Sequence, residues 1–314
     1  MGESISTVSA VEPSGWSAEA APAVPLIALD QLWFQVSGTV CNLRCNHCFI
    51  SCAPDNHSFW FMTRDEVRRW LEESVPLGVK EYYFTGGEPF MNREILGILE
   101  DTLELGPATV LTNATLLPQR TVDALARLAD GSPYTLELRV SIDGVSAEMN
   151  DPIRGEGTFD RALAAVGRLA RAGFLPIVTA MQTWPDEETD KVLGAFRAAL
   201  AEVGYGRARL KILPPLKIGA EVSRGGGYLA TERVTHEMMR DYPPELLLCS
   251  SARLVTRKGV WVCPILLDFE DAKVGDTLKA AVAEPALLAE QPCFTCWQHG
   301  AICSNLPSLV RDFA

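Results

Sequence analysis

Two groups of cysteines carry most of the chemistry that this sequence can perform. Cys41, Cys45 and Cys48 lie close together near the N-terminus, with Cys52 just beyond them. The second group is Cys249, Cys263, Cys293, Cys296 and Cys303. An odd total of nine cysteines in two groups favours metal or cluster ligation over disulfides. Three closely spaced thiolates suit an iron–sulfur cluster or a soft metal, and they leave one corner of a four-iron cluster open.

The elements that position the first group read as alternating strands and helices. Apolar or alternating runs predict strands near 33–38, 81–85, 108–112, 136–142, 175–181 and 209–213. Helical spacing follows at 64–77, 93–105, 119–129, 159–172 and 187–203, with Thr63 and Glu66 forming a capping box before the first helix. This order predicts an α/β fold with a parallel sheet, arranged as a partial (β/α)6 TIM-like barrel. The cysteine triplet would lie at the C-terminal end of the first strand, where such barrels place their chemistry.

The strand at 136–143 alternates strictly between apolar and polar residues. We expect its Leu, Val and Ile side chains to pack against helices, and Glu137, Arg139, Ser141 and Asp143 to point into the lumen. A half-solvated sheet edge would give the same pattern. Arg139, Arg209 and Lys211 would then make the lumen positive. They would bind an anionic substrate group, neutralise Glu137 and Glu81, or hold a cofactor.

Several segments at strand ends resemble the radical S-adenosylmethionine (SAM) superfamily. The spacing in CNLRCNHC at 41–48 is similar to the signature of that family, and Gly86-Gly87-Glu88-Pro89 looks like its GGE segment. Thr112-Asn113 resembles the family's TNG segment, although Ala114 replaces the usual glycine. The resemblance covers roughly residues 33–220. A zinc site on the three cysteines with His47 or Cys52 is the alternative, but it leaves the other segments unexplained.

The resemblance implies a [4Fe–4S] cluster on Cys41, Cys45 and Cys48, with SAM bound to its open iron. It implies that an external electron donor such as flavodoxin or ferredoxin reduces the cluster. SAM is then split to a 5′-deoxyadenosyl radical that removes a hydrogen atom from substrate. By the same resemblance, the SAM-binding residues are expected to be His47 (through its backbone), Gly86, Gly87, Glu88, Asn113, Ser141, Asp143 and Arg154.

The C-terminal cysteines resemble the twitch or SPASM extension of the same family, which binds auxiliary four-iron clusters. Five cysteines fit the shorter form with one cluster. The expected ligands are Cys249, Cys263, Cys293 and Cys296, with Cys303 as a replacement ligand or a free thiol. A four-cysteine zinc site that staples the tail is the alternative.

An auxiliary cluster implies oxidation or crosslinking of the substrate, because it can accept the electron left after hydrogen abstraction. A redox-neutral epimerisation or rearrangement is the second reading. A third is a maturase that modifies a peptide delivered by a partner protein. The sequence does not distinguish between a small-molecule substrate and a peptide substrate. Candidate catalytic side chains are Cys52, Cys303, Tyr228 and Lys211, with Asp268 as a further possible base. Cys52 is either a buried thiol with a packing role or a reactive thiol that faces the substrate.

Charge and composition indicate which partners the protein has and how the chain is divided into segments. The net charge of −12 argues against a nucleic acid partner. No apolar run reaches the roughly 20 residues of a membrane span, and no signal peptide is seen, so we expect a cytoplasmic protein without membrane contact. We predict a flexible leader at 1–30, the barrel at 31–240 and a cysteine-rich extension at 241–314.

Overall fold

The computed structural model describes residues 21–304 and contains one large mixed sheet. Its nine strands are β2 Gln31–Gln35, β3 Glu81–Thr85, β4 Ala108–Thr112, β5 Leu136–Ser141, β6 Ile177–Met181, β7 Arg209–Leu213, β8 Ala252–Thr256, β9 Gly259–Trp261 and β10 Lys273–Gly275. Two short strands, β1 Ala23–Val24 and β11 Ala286–Leu287, form a separate antiparallel pair. The six strands predicted from sequence are β2 to β7, each within two or three residues of its predicted bounds.

Within residues 21–304, the five helices predicted from the sequence are present between the strands, and five further helices were not predicted. Together they are α1 Arg64–Ser74, α2 Ile95–Thr102, α3 Gln119–Asp130, α4 Ala147–Arg154, α5 Thr158–Arg171, α6 Thr189–Glu202, α7 Glu221–Gly225, α8 His236–Met239, α9 Leu278–Ala281 and α10 Pro292–His299. The capping box is confirmed, since Thr63 accepts from the Glu66 amide and the Glu66 side chain accepts from the Thr63 amide. Among residues 21–304, no helix has the length and apolar character that crossing a bilayer requires.

The strands β2 to β7 run parallel in chain order, as expected for a partial barrel. On the other side of β2, β8 adds a further parallel strand, and β9 and β10 continue the sheet antiparallel. The sheet therefore crosses the sequence boundary that we predicted near residue 241. Of the predicted leader, residues 21–30 are described and include β1, which pairs with β11.

The alternation in β5 separates two environments, as predicted. Leu136, Leu138 and Val140 belong to the apolar cluster between the sheet and its helices. Arg139 and Ser141 on the opposite face line a cavity inside the curved sheet, with Asp143 just beyond the strand. Because successive side chains of a strand point to opposite faces, one strand supplies both the core and a polar wall.

Candidate functional site

A cavity of about 220 Å³ lies at the C-terminal ends of the parallel strands. It is called the main cavity here because most of the predicted site residues line it. Its lining includes Cys41, Cys45 and Cys48, which stand on the loop after β2. The strand ends of β3 to β6 supply the rest of the wall. The structure thus brings into one cavity most of the site residues predicted from separate parts of the sequence, namely Cys41, Cys45, His47, Cys48, Cys52, Gly86, Gly87, Asn113, Ser141, Asp143 and Arg154.

The glycine pair after β3 permits a close approach to the cysteine loop. A Cβ atom on Gly87 would lie 2.1 Å from the carbonyl oxygen of Val40 and 2.7 Å from the amide nitrogen of Cys41. A Cβ atom on Gly86, whose φ is +147°, would lie 2.1 Å from Ser37 Oγ. The Gly87 amide also donates to the Gly38 carbonyl at 2.9 Å. Only glycine fits at this contact, so both positions serve the placement of the cysteines.

Glu88 has its carboxylate directed into the protein, away from the cavity lining. It accepts hydrogen bonds from the Thr112 hydroxyl at 2.8 Å, the Asn113 amide at 2.8 Å and the Phe90 amide at 3.0 Å. Burial raises the pKa of Glu88 to about 7, although these hydrogen bonds oppose the rise. Glu88 therefore joins the end of β3 to the end of β4. Glu88 is not among the residues that line the cavity, and its contact with the cofactor stays a prediction.

Asp143 organises the side of the cavity that faces the cysteine loop. Its Oδ2 lies 2.5 Å from Arg154 Nε and 2.7 Å from His47 Nε2, and its Oδ1 accepts from the Met181 amide at 2.6 Å. Burial opposes ionisation of Asp143, but the charge of Arg154 and the contact with His47 outweigh it and hold the pKa below its usual range. The prediction for His47 considered only its backbone. Its side chain is also engaged.

Cys52 lies against Cys48 at the edge of the same cavity. The Cys52 amide donates to Cys48 Sγ at 3.2 Å, and the thiol of Cys52 also hydrogen-bonds to Cys48. That thiol contact holds the pKa of Cys48 below its usual range, although burial opposes the effect. Cys52 is buried and borders the cavity, so both readings of it, as a packed thiol and as a reactive one, remain predictions.

The predicted basic side chains of the lumen have different partners. Arg209 forms an ion pair with Glu137 at the far end of the strands, which supports neutralisation for that pair. Arg139 Nη1 donates to the carbonyl oxygen of Cys303, and Lys211 Nζ donates to that of Ser304. Arg139 borders the cavity, whereas Lys211 and Arg209 are not among its lining residues.

A second, smaller cavity of about 20 Å³ lies in the extension. Its walls include Cys249, Cys263, Cys293 and Cys296, the four residues expected to bind a second cluster. Cys303 is not part of this wall, but it is close enough to Cys296 to contribute to the raised pKa of that thiol. Burial is the main cause that raises the pKa of all five thiols.

Arg253 lies completely buried next to these cysteines. Its guanidinium donates to four backbone carbonyls, those of Cys249 at 2.8 Å, Ala252 at 2.8 Å, Ala281 at 3.2 Å and Glu284 at 2.7 Å. Burial lowers the pKa of Arg253, and ionised Cys249 and Cys263 would oppose this effect. No carboxylate within residues 21–304 forms an ion pair with Arg253.

Two further catalytic candidates lie away from the main cavity. The Tyr228 hydroxyl is 2.6 Å from Thr295 Oγ1, on the helix that carries Cys293 and Cys296. Burial raises the pKa of Asp268 to about 6, and Asp268 does not border either cavity. The geometry associates Tyr228 with the extension rather than with the lumen.

Neither cysteine group is arranged around a single point. Across residues 21–304, no three His, Cys, Asp or Glu side chains converge as one metal ion requires. A four-iron cluster differs, because each ligand binds its own iron and the thiolates surround a larger volume. The two zinc alternatives and the two cluster assignments therefore remain predictions for these cysteines.

Two residues that lie at the two cysteine sites in the structure were not predicted from the sequence. Thr179 on β6 lines the main cavity beside Arg139, and the signal was a hydroxyl in an otherwise apolar strand. Arg253 is a charged residue within the buried strand β8, shortly after Cys249. A charge inside a buried strand demands a partner, and this requirement could have identified it.

The chain is similar in sequence to known proteins over about half of its length. The family model described as the radical SAM superfamily matches residues 36–198, just over half of the chain. The AdoMet-dependent heme synthase of Methanosarcina barkeri is 34% identical over 139 residues, covering 43% of this chain and 37% of that protein. The mycofactocin maturase MftC of Mycolicibacterium smegmatis is 30% identical over 135 residues, covering 43% and 33%. The chain thus spans less than half the length of these curated relatives.

Solved structures share the fold at low sequence identity. The crystal structure of Streptococcus suis SuiB bound to S-adenosylmethionine has a TM-score of 0.60 and 18% identity, covering 80% of this chain and 64% of that one. SuiB bound to the precursor peptide SuiA gives a TM-score of 0.60 and 17% identity, covering 82% and 65%. The similarity extends beyond the family match and includes most of the described residues.

Proposed function

The chain belongs to the radical SAM superfamily, and from this premise we propose that it is an enzyme whose main cavity holds a [4Fe–4S] cluster and SAM. Membership implies both cofactors. When bound, they supply reductive cleavage of the sulfonium and abstraction of a hydrogen atom from substrate. The observation that carries the proposal is the convergence of Cys41, Cys45 and Cys48 with the Gly86–Gly87 pair on one cavity.

The residues present fit the cluster. We assign the three cysteines as its ligands, and the backbone around them already presents donors to sulfur. The Leu43 amide lies 3.4 Å from Cys41 Sγ, and the Cys52 amide lies 3.2 Å from Cys48 Sγ. Amide hydrogen bonds to ligand sulfur stabilise the negative charge of a thiolate and tune the cluster.

The opposite wall fits SAM. We assign the polar side chains Asn113, Ser141, Asp143 and Arg154 to the cofactor, with His47 and the Gly86–Gly87 backbone nearby. Asp143 holds Arg154 and His47 in position, and Glu88 supports the same wall from behind. Charged side chains fixed by their neighbours can orient a zwitterionic ligand without reorganising when it binds.

We further propose that the extension holds an auxiliary [4Fe–4S] cluster on Cys249, Cys263, Cys293 and Cys296. The buried Arg253 supports this assignment. An unpaired charge in the interior is costly unless a negative group compensates it, and thiolates of Cys249 and Cys263 would be that group. A second cluster makes net oxidation or crosslinking of the substrate feasible, with an external one-electron donor reducing the first.

A peptide substrate is the second candidate. It is favoured by the peptide-bound structure of SuiB, whose fold resembles that of this chain, and by the maturase MftC among the sequence relatives. A redox-neutral outcome would follow if the extension held no cluster. The domain division at residues 30 and 240 remains part of the proposal.

Asp143→Asn tests the assignment of the SAM wall. The amide keeps the shape of the carboxylate but leaves the buried Arg154 without its charge partner. We expect the dissociation constant of SAM to rise roughly 10-fold to 100-fold, because breaking a buried charged contact costs about 1–3 kcal/mol. The measurement is anaerobic: SAM binding by the shift of the reduced EPR spectrum, and 5′-deoxyadenosine formation by mass spectrometry.

The matched control is Asp160→Asn, which removes an exposed carboxylate from the first turn of α5. It should bind SAM as the wild type does. Unchanged SAM affinity in Asp143→Asn, with normal iron content, would refute the assigned wall. Absence of 5′-deoxyadenosine from the reconstituted wild type would refute the proposed function itself.

A further inference from the structure

The lumen wall holds two buried polar groups that the assigned cofactor contacts do not use. Arg139 precedes Ser141 by two residues on the same face of β5, and Thr179 pairs in register with Ser141 on β6. Both side chains line the main cavity, together with Met181 and Leu213. The substrate of an enzyme of this kind must enter the same cavity.

Both residues retain unused hydrogen-bond donors. Within residues 21–304, Arg139 Nε and Thr179 Oγ1 are buried and have no hydrogen-bond partner. Arg139 is 2% exposed and Thr179 is 8% exposed, so bulk water does not satisfy them. Buried polar atoms are nearly always paired, and two unpaired ones on neighbouring strands of one cavity wall indicate a missing partner.

Arg139 also forms no ion pair with a carboxylate among residues 21–304, although the charge of Glu137 acts on it. Its hydrogen bond in this part of the chain goes to a neutral group, the Cys303 carbonyl oxygen. The nearest carboxylates are engaged elsewhere, since Glu137 pairs with Arg209 and Asp143 pairs with Arg154. Burial and, to a smaller extent, the neighbouring charge of Arg139 together lower the pKa of Lys211 to about 8. Arg139 and Lys211 therefore place two positive charges close together in a buried region.

We propose that the substrate presents a carboxylate to Arg139 and Thr179, which makes them specificity-determining residues of the cavity. This inference rests on the proposed function, since it places the substrate in the radical SAM cavity. A guanidinium edge and one hydroxyl match the two oxygens of a carboxylate. The carboxylate belongs either to a small acid or to an acidic side chain or C-terminus of a peptide.

The experiment uses propionate as the probe and propionamide as its neutral counterpart. The reconstituted, SAM-loaded protein is titrated anaerobically with ¹³C-carboxyl-labelled propionate, and binding is followed by NMR. We expect propionate to bind and propionamide not to bind. Arg139→Gln should weaken propionate binding at least 10-fold, because it removes a charged hydrogen bond. Thr179→Val should weaken propionate binding about 3-fold, because it removes a neutral hydrogen bond.

The matched control is Arg209→Gln, which removes a positive charge from the same sheet but outside the cavity. It should leave propionate affinity within a factor of two, because the charge is exposed and screened. If Arg139→Gln fails to incorporate iron, Thr179→Val decides the question. Equal propionate affinity in the wild type and in both cavity variants would overturn the proposal.

Three other outcomes would also overturn it: no propionate binding by the wild type, tighter binding of inorganic phosphate than of propionate, or loss of SAM affinity in Arg139→Gln. The last would place Arg139 in the SAM site.

The SAM-dependent EPR shift of the wild type is recorded on the same preparation. Its absence would refute the proposed function, whereas its presence without a propionate effect would refute only the carboxylate site. Acidic and amidated peptides then distinguish the two carboxylate sources.

Discussion

Gly87→Ala is expected to lower SAM cleavage about 100-fold or more and to reduce cluster incorporation. The added methyl group would lie 2.1 Å from the Val40 carbonyl oxygen and 2.7 Å from the Cys41 amide nitrogen, both of them backbone atoms that cannot rotate away. The cysteine loop must therefore move by about an ångström. A displacement of that size can cost about 100-fold in rate when reacting groups are misplaced.

The measurement is iron content and 5′-deoxyadenosine formation after anaerobic reconstitution. Gly194→Ala is the matched control, because no atom lies within 4 Å of its added Cβ and the residue is exposed within α6. Alanine there should leave cleavage unchanged and stabilise the helix by about 1 kcal/mol. Normal cleavage by Gly87→Ala would show that the two strand ends do not need this contact.

Arg253→Met is expected to remove the auxiliary cluster while the SAM-binding cluster remains. Methionine fills much of the same volume but leaves four carbonyl groups without their donor and takes a positive charge from beside Cys249 and Cys263. The desolvated thiolates then lose their compensating charge. Iron should fall from about eight to about four atoms per chain, and the EPR signal that shifts with SAM should persist.

Arg257→Met is the control on the same hairpin. Arg257 is exposed and pairs with Glu66 at 3.0 Å, so its loss should change neither iron content nor EPR spectra. Arg253→Lys separates charge from geometry. Lysine keeps the charge, and we expect the cluster to be retained with fewer hydrogen bonds to the backbone. Full iron content in Arg253→Met would contradict a role for this charge at the second site.

Local patterns in the sequence predicted most of the barrel. Strict alternation in β5 gave both its core face and its lumen face, and Thr63 with Glu66 located the start of α1. These features depend on residues two to four apart, whose geometry follows from the strand or helix itself. The motifs at strand ends then converged because parallel strands end at one edge of the sheet.

What the sequence did not predict depends on contacts between distant segments. The pairing of β8 with β2 joins residues more than two hundred positions apart, and no local pattern encodes it. The same limit applies to Arg253, whose four acceptors come from two segments of the extension. Glu88 matched a motif, but its direction depends on Thr112 and Asn113 in the next strand. Side-chain direction at a strand end is set by tertiary neighbours.

The most direct test of the two-cluster proposal is iron quantification combined with reduced EPR spectra, with and without SAM. The reconstituted wild type is compared with two variants, one with Cys41, Cys45 and Cys48 changed to Ala and one with Cys249, Cys263, Cys293 and Cys296 changed to Ala. We predict about eight irons in the wild type and about four in each variant, with the SAM-dependent shift lost only in the first. About four irons in the wild type, lost entirely in the first variant, would contradict the auxiliary cluster and leave one radical SAM centre.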